Sequence, residues 1–173
     1  MADKVYVFVD NSNVWIEGKK VAGRLRKPQI PSNGRYRIEY GTLLQHVLDG
    51  RDLAAVPRLY GSEPPPNDSV WKVIRARGFD VKVFKRNIFN REKGVDMRMG
   101  LDIGRLALTE PAPATVVIVA GDADFVQVVD DAHAPKWKVE AWYWGNCAGD
   151  LRKAVDRFES LNPVAYKIGF DER

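Results

Sequence analysis

The sequence predicts an α/β fold whose central sheet is mostly parallel and covered by helices on both faces. Two observations carry that expectation. Val5-Tyr6-Val7-Phe8-Val9 and Thr115 to Ala120 are continuous apolar runs rich in β-branched residues, the pattern of strands buried on both sides. Around them, strand-like and helical periodicities alternate along the chain, as right-handed crossovers between parallel strands require.

The first strand ends abruptly at Asp10-Asn11-Ser12-Asn13, which reads as its exit loop, and a basic, turn-rich stretch runs from Lys19 to Tyr36. Leu43, Leu44, Val47 and Leu48 then fall at helical spacing, closed by Gly50. Leu53 to Tyr60 predicts a short strand, and Pro57, which lacks an amide donor, argues for an edge position. Gly61-Ser62-Glu63-Pro64-Pro65-Pro66 forces a turn, after which Asn67 or Asp68 can cap a helix carrying Val70, Trp71 and Ile74 and ending at Gly78. Phe79, Val81 and Val83 alternate with charged residues as a third strand.

Lys85 to Lys93 is basic and loop-like, and Gly94-Val95-Asp96 opens a helix with Asp96 as its cap or first residue and Met97, Leu101, Gly104 and Leu108 as its repeating face. Pro111 and Pro113 lead into the Thr115 strand, which Gly121-Asp122-Ala123-Asp124 terminates. Phe125, Val128, Val129 and Ala132 give a short amphipathic helix, Trp137 to Trp144 a fifth strand, and Leu151, Val155, Phe158 and Leu161 a final helix. Asn162 to Arg173 is expected as an edge element or as chain lying over the sheet. Neither internal repeats nor low-complexity tracts divide the sequence, so residues 1–173 are expected to form one domain.

A chain of 173 residues with 45% hydrophobic content has the material for a sizeable core. Cys147 is its only cysteine, so an internal disulfide is excluded, and no Cys/His spacing suits zinc. A reducing, cytoplasmic setting is expected, because no signal-peptide pattern and no membrane-length apolar segment is present. The net charge of +4 and pI near 9.2 favour a polyanionic partner.

Acidic residues at particular positions carry the chemical expectation. In an open parallel sheet, ligands gather beyond the carboxyl ends of the strands, near the point where strand order reverses. Asp10 leaves the first strand, Asp122 and Asp124 leave the second fully apolar one, and Asp96 begins a helix at the same end. Clustered carboxylates repel one another, and a divalent cation relieves that conflict; all-oxygen ligands suit Mg²⁺ or Mn²⁺. Such an ion can activate a water for phosphodiester hydrolysis, which makes a histidine base unnecessary. The only histidines, His46 and His133, lie on predicted helices, and neither Cys147 nor any serine has the partners of a nucleophilic triad. Taken singly, each acid has a plainer reading as a cap or turn former.

The segments VFVDNSNVWIEG (Val7 to Gly18), YGSEPPPNDSVW (Tyr60 to Trp71), KGVDMRMGLDIGRLA (Lys93 to Ala107) and IVAGDADF (Ile118 to Phe125) together resemble the NYN family, a branch of the PIN-like nuclease fold. That resemblance runs through most of the chain. It implies a PIN-like three-layer α/β/α sandwich, dependence on Mg²⁺ or Mn²⁺, and ribonuclease activity. By motif match it implies Asp10, Asp96, Asp122 and Asp124 as the catalytic and metal-site acids, and Asn13 as the polar partner of the first Asp or of a substrate phosphate. Asn11 and Ser12 share that loop, where they bind substrate or shape the turn. PIN-like sites often include a further acid, for which Glu39, Asp68 and Asp102 are the candidates. Asp102 stands about 240° around an ideal helix from Asp96, so it is expected as a solvated or structural acid.

A negative cluster that cuts a polyanion needs flanking cations. Arg24, Arg26, Lys27, Arg35 and Arg37 supply one basic stretch, and Lys85, Arg86, Arg91, Lys93 and Arg98 a second beside Asp96, with Lys93 and Arg98 as candidate substrate-binding residues. Trp15 could stack on an unpaired base or belong to the core. No base-reading pattern is present, so single-stranded RNA held by its backbone is the expected partner. The alternative is a non-catalytic RNA-binding or interaction module that keeps the fold. A phosphotransferase or phosphatase is disfavoured, because the first loop reads Asp10-Asn11-Ser12 and lacks the D-x-D of aspartyl-phosphate enzymes, and no G-x-x-x-x-G-K-[ST] loop occurs.

Overall fold

The computed structural model describes residues 4–25, 35–63, 69–85, 93–111 and 114–172, with the Lys93 side chain outside that description. Strand β1 (Lys4–Asp10) is apolar from Val5 to Val9 and pairs on both edges, so it lies inside the sheet, where helices cover both of its faces. The chain then builds outward on one side: α1 (Asn11–Leu25), β2 (Tyr36–Ile38), α2 (Tyr40–Leu48), β3 (Asp52–Leu53), β4 (Arg58–Ser62), α3 (Ser69–Ala76) and β5 (Asp80–Phe84). It returns through α4 (Lys93–Thr109) and builds outward on the other side: β6 (Thr115–Val119), a 3₁₀ turn at Ala123–Phe125, α5 (Val126–His133), β7 (Lys138–Tyr143), α6 (Gly149–Ala154) and β8 (Arg157–Ser160). A last strand, β9 (Gly169–Asp171), follows.

The main sheet runs β5-β4-β1-β6-β7-β8, all parallel, with β3 paired to the start of β1. Right-handed crossovers that travel in opposite directions along a sheet put their helices on opposite faces, so the result is a three-layer α/β/α PIN-like sandwich. Strand order reverses between β1 and β6. Their carboxyl ends, Asp10 and the Gly121 to Asp124 loop, therefore flank the switch point.

Several expectations need correction. Asn11 to Leu25 forms a helix directly after β1, where an exit loop and a turn-rich stretch were expected. The Leu53 to Tyr60 strand is split into β3 and β4, which lie one after the other along β1, and β4 is central, with β1 and β5 on its two sides. Pro57 falls in the break, so it removes no ladder bond. The final helix stops at Ala154: Val155 is extended, and Phe158 lies on β8, a parallel strand beside β7. β9 pairs antiparallel with β2 in a separate two-stranded sheet, not at the main sheet's edge.

The face of α4 also differs. Val95, Met99, Ile103 and Ala107, at i, i+4, i+8 and i+12, are buried, whereas Met97, Leu101 and Leu108 are 66%, 52% and 85% exposed. Both sets have helical spacing, so periodicity alone could not choose between them. Burying Met99 and Ile103 is worth about 1.5–3 kcal/mol each. Asp96, expected as the cap or first residue, is the fourth residue of the helix, still in its first turn.

Candidate metal centre

Each acid owes its place to local structure. Asp96 lies in the first turn of α4, where unpaired amides and the helix dipole favour a carboxylate. Asp122 caps the 3₁₀ turn after β6: its Oδ1 accepts the amide of Asp124 at 2.9 Å. Asp124 extends from that turn and is exposed. Asp96, Asp122 and Asp124 each bring one carboxylate oxygen into a group whose members all lie within 4.8 Å of one another. Three hard oxygen donors at that spacing fit a Mg²⁺ or Mn²⁺ ion, which binds through carboxylates while keeping waters of its own.

Asp10 is not in that group. It is 1% exposed at the end of β1, and Asn13 Nδ2 donates to its Oδ2 at 3.1 Å. Its neighbourhood is nonetheless shared with the cluster through Tyr143. Burial foremost, then Glu17, Asp10, Cys147 and Asp122, push the Tyr143 phenol above its ordinary pKa, and its hydroxyl donates to the Asn13 carbonyl at 3.2 Å. Sequence reasoning missed Tyr143 and Glu17. A signal existed in Gly121: a Cβ there would collide with the Tyr143 ring, so the glycine serves a close approach of ring to backbone as well as ending a strand.

Asn11 and Ser12 are 5% and 9% exposed, and Asn11 Oδ1 accepts a short hydrogen bond from the Tyr40 hydroxyl. Both open α1, and the Tyr40 contact anchors Asn11 there. Glu39 caps α2 through the amides of Gly41 and Thr42 and pairs with Arg77 at 2.9 Å. The Thr42 hydroxyl above all, against some burial, and then the cap amides and Arg77 hold its carboxyl below the usual range. Asp102 is 5% exposed, so it is not solvated, and it lies outside the metal group. Asp68 falls outside the described residues.

The flanking cations divide. Arg98 pairs with Asp102, and Arg37 pairs with Glu172 at 3.1 Å and lies over the Trp15 ring. Trp15 is half-buried, with Lys19 Nζ 3.9 Å from its ring centre and Nε1 donating to the Tyr36 carbonyl. Arg24 lies in the last turn of α1, and Arg35 and Lys85 are exposed beside strands. Arg26, Lys27, Arg86 and Arg91 fall outside the described residues. Beside the acids, a groove of about 850 Å³ between α4 and α5 is lined by Asp96, Asp124, Met97, Gly100, Leu101, Gly104, Leu108 and Val128. Burial raises the Cys147 thiol, which disfavours a thiolate nucleophile.

The sequence profile of the NYN domain matches residues 4–162, nearly the whole chain and all four acids. The chain belongs to the NYN domain family. NYN domains are a PIN-like nuclease family. Among solved structures, a protein of unknown function from Vibrio parahaemolyticus superposes with a TM-score of 0.72 at 18% identity, covering 92% of this chain and 93% of its own. At that identity the likeness speaks for the fold. No curated protein matches this NYN domain in sequence. Among its described residues, no helix is long and apolar enough to cross a membrane.

Proposed function

We propose that this NYN domain is a divalent-cation-dependent endoribonuclease that hydrolyses phosphodiester bonds of single-stranded RNA in the cytoplasm. One observation carries the reading: carboxylate oxygens of Asp96, Asp122 and Asp124 converge within 4.8 Å at the switch point of a parallel sheet. Three negative charges at that spacing are unfavourable unless a cation sits among them. These three side chains would hold Mg²⁺ or Mn²⁺. Such an ion, when bound, lowers the pKa of the attacking water and neutralises phosphoryl charge.

The chain's own groups do the rest. The amide of Asp124 fixes the rotamer of Asp122 and so the direction of its second oxygen. Asp10 adds a buried negative charge beside the cluster, and Asn13 holds it in place. Tyr143 ties the start of α1 to the sheet, keeping Asp10 and the Asp122 loop in a fixed relation. Cations on α4, Arg98 and Lys93, attract the RNA backbone. RNA as substrate is supported by family membership, and a single strand held by its backbone by a sequence that carries no base-reading pattern.

The test is cleavage of labelled RNA oligonucleotides, single-stranded and duplex, beside single-stranded DNA, with Mn²⁺, Mg²⁺ or EDTA. Metal-dependent cutting of single-stranded RNA is expected. Asp122→Asn keeps the cap acceptor but removes the charge, so it should abolish cutting at an unchanged Tm. Absence of cleavage across varied RNAs with either metal would refute the activity, and full activity in Asp122→Asn would refute the site.

A further inference from the structure

Asp102 is the acid the metal centre leaves unused, and it is heavily partnered. The Tyr60 hydroxyl donates to its Oδ2 at 2.6 Å, Arg98 Nε donates to its Oδ1 at 3.1 Å, and Lys82 Nζ lies 3.7 Å from Oδ2. Arg58 acts on the same carboxylate electrostatically. Lys82 and Arg98 therefore both pair with one carboxylate, where a single cation would suffice, and Arg58 is near enough to act on it. Like charges gathered this way repel, and an arriving anion relieves the repulsion.

Two of the cations remain accessible. Arg98 is 43% exposed and Lys82 31%, against 5% for Asp102. Only Nε of Arg98 is engaged, so among the described residues its two terminal nitrogens keep their donors for another acceptor. A guanidinium anchored at Nε presents a planar fork that matches a phosphate, and an ammonium beside it adds a point charge.

Their position relates them to the metal centre. Asp10 is in register with Tyr60, and Tyr60 with Lys82, so the three form a row across β1, β4 and β5. Residues in register share a face of the sheet, and two strand spacings put Lys82 roughly 10 Å from Asp10. On α4, Arg98 follows Asp96 by two residues, roughly 200° around the helix. The amino-terminal half of α4 thus carries the metal-site acid Asp96 on one shoulder and Arg98 on the other, where Lys82 of β5 meets it at Asp102.

We propose that Arg98 and Lys82, held by the buried Asp102, form a binding subsite for a backbone phosphate of the RNA strand, across α4 from the three clustered carboxylates. This deepens the ribonuclease reading and rests on it: the phosphate bound here is not the one cut but another on the same strand, about a helix width away. Asp102 is a positioning residue, which orients the guanidinium fork and the ammonium without touching substrate. Although burial opposes its charge, Tyr60, Lys82, Arg98 and Arg58 outweigh burial and hold its carboxyl below the usual range, so it stays ionised at neutral pH.

The experiment measures fluorescence anisotropy of a labelled oligouridylate with the full chain, with Ca²⁺ in place of Mn²⁺ to suppress cutting, over a range of salt. The double variant Lys82→Ala/Arg98→Ala is compared with a charge-matched control, Lys4→Ala/Lys138→Ala, at the amino ends of β1 and β7, the opposite edge of the sheet. Removing one phosphate contact makes the slope of log K on log salt shallower by about 0.7. That change is expected in the first variant and not in the control, with Mn²⁺ affinity unchanged in both. Arg98→Lys should recover part of the affinity, and Asp102→Asn, which keeps an acceptor for the Tyr60 hydroxyl and so the rotation of α4, should raise KM several-fold with kcat retained. A wild-type slope in the double variant, an equal change in the control, or a fall in Tm with no change in slope or KM would overturn the subsite. Wild-type protein that binds RNA in this way but never cuts it with Mn²⁺ would overturn the nuclease reading while leaving the phosphate subsite standing.

Discussion

Gly121→Ala tests whether the loop that carries Asp122 and Asp124 is held by the close approach of Tyr143. A methyl group at residue 121 would overlap the Cδ2 and Cε2 atoms of that ring and lie 2.8 Å from its Cγ. The ring has nowhere to retreat: it is 4% exposed, and its hydroxyl is bound to the Asn13 carbonyl at 3.2 Å. Overpacking of this kind costs about 1–3 kcal/mol. Loss of the hydroxyl's bond adds about 1 kcal/mol. For a chain of this length the sum corresponds to a Tm lower by about 5–15 °C. If the backbone yields instead, the Asp122 loop shifts, and a displacement near 1 Å costs about 100-fold in rate. Thermal unfolding and single-turnover RNA cleavage read the two outcomes separately. Gly149→Ala, where a Cβ meets nothing within 4 Å, is the control and should stay within about 0.5 kcal/mol of wild type. Gly121→Ala with both wild-type Tm and wild-type cleavage would refute the reasoning.

Three further outcomes follow from the same structure. Ile103→Ala should cost about 2–5 kcal/mol in urea unfolding and Leu108→Ala less than about 0.5 kcal/mol, and the reverse order would mean that α4 is turned the other way. Glu140 receives both terminal nitrogens of Arg51, at 2.7 and 2.8 Å, and Trp142 Nε1 at 3.0 Å, so Glu140→Ala should destabilise by about 3 kcal/mol. Burial raises the Glu140 carboxyl, but Arg51 and Trp142 prevail and hold it below its ordinary value. Its contribution is therefore present above the unfolded pKa of about 4.3 and is lost as pH falls through the lower folded value, so the stability gap between wild type and Glu140→Gln should close in acid. A gap independent of pH would contradict that assignment. Mn²⁺ at about 100 times its Kd should stabilise the fold by about 2.7 kcal/mol, read as a rise in Tm. Asp96→Asn should abolish most of that rise, and an unchanged rise would remove Asp96 from the site.

The features legible in the sequence were those written in the composition of a short segment. β1 and β6 are apolar on both faces because both faces are covered, and a continuous β-branched run records that directly. The acids that follow them are legible for the same reason, since a charge at the end of such a run can only lie at the sheet's edge. Features set by distant partners were not legible. Arg157 to Ser160 lies at the open edge of the sheet because β7 offers it a ladder, which no periodicity within 151–161 records. Pro57 argued for an edge because the break between β3 and β4 is visible only when both are seen against β1. The burial of Asp10 and the convergence of the other three acids depend on loop geometry that the motif leaves open.

Helix α4 shows how the charged residues settle what the apolar ones leave ambiguous. Two apolar stripes compete for the core: Val95, Met99, Ile103 and Ala107 on one, and Met97, Leu101 and Leu108 on the other. Hydrophobic burial alone favours neither strongly, since the second stripe is no less apolar. Turning the helix to bury Met97 would carry Asp102 away from Tyr60 and Lys82, whose places are fixed by β4 and β5. Tyr60 would then keep a buried hydroxyl without its acceptor, at a cost of about 1–3 kcal/mol. The same turn would swing Asp96 away from Asp122 and Asp124. Asp102 therefore helps set the rotation of the helix, and that rotation sets which acid reaches the metal site. The exposed stripe follows as a consequence: Met97, Leu101 and Leu108 line the groove against α5 because the buried carboxylate on the other shoulder leaves them no place in the core.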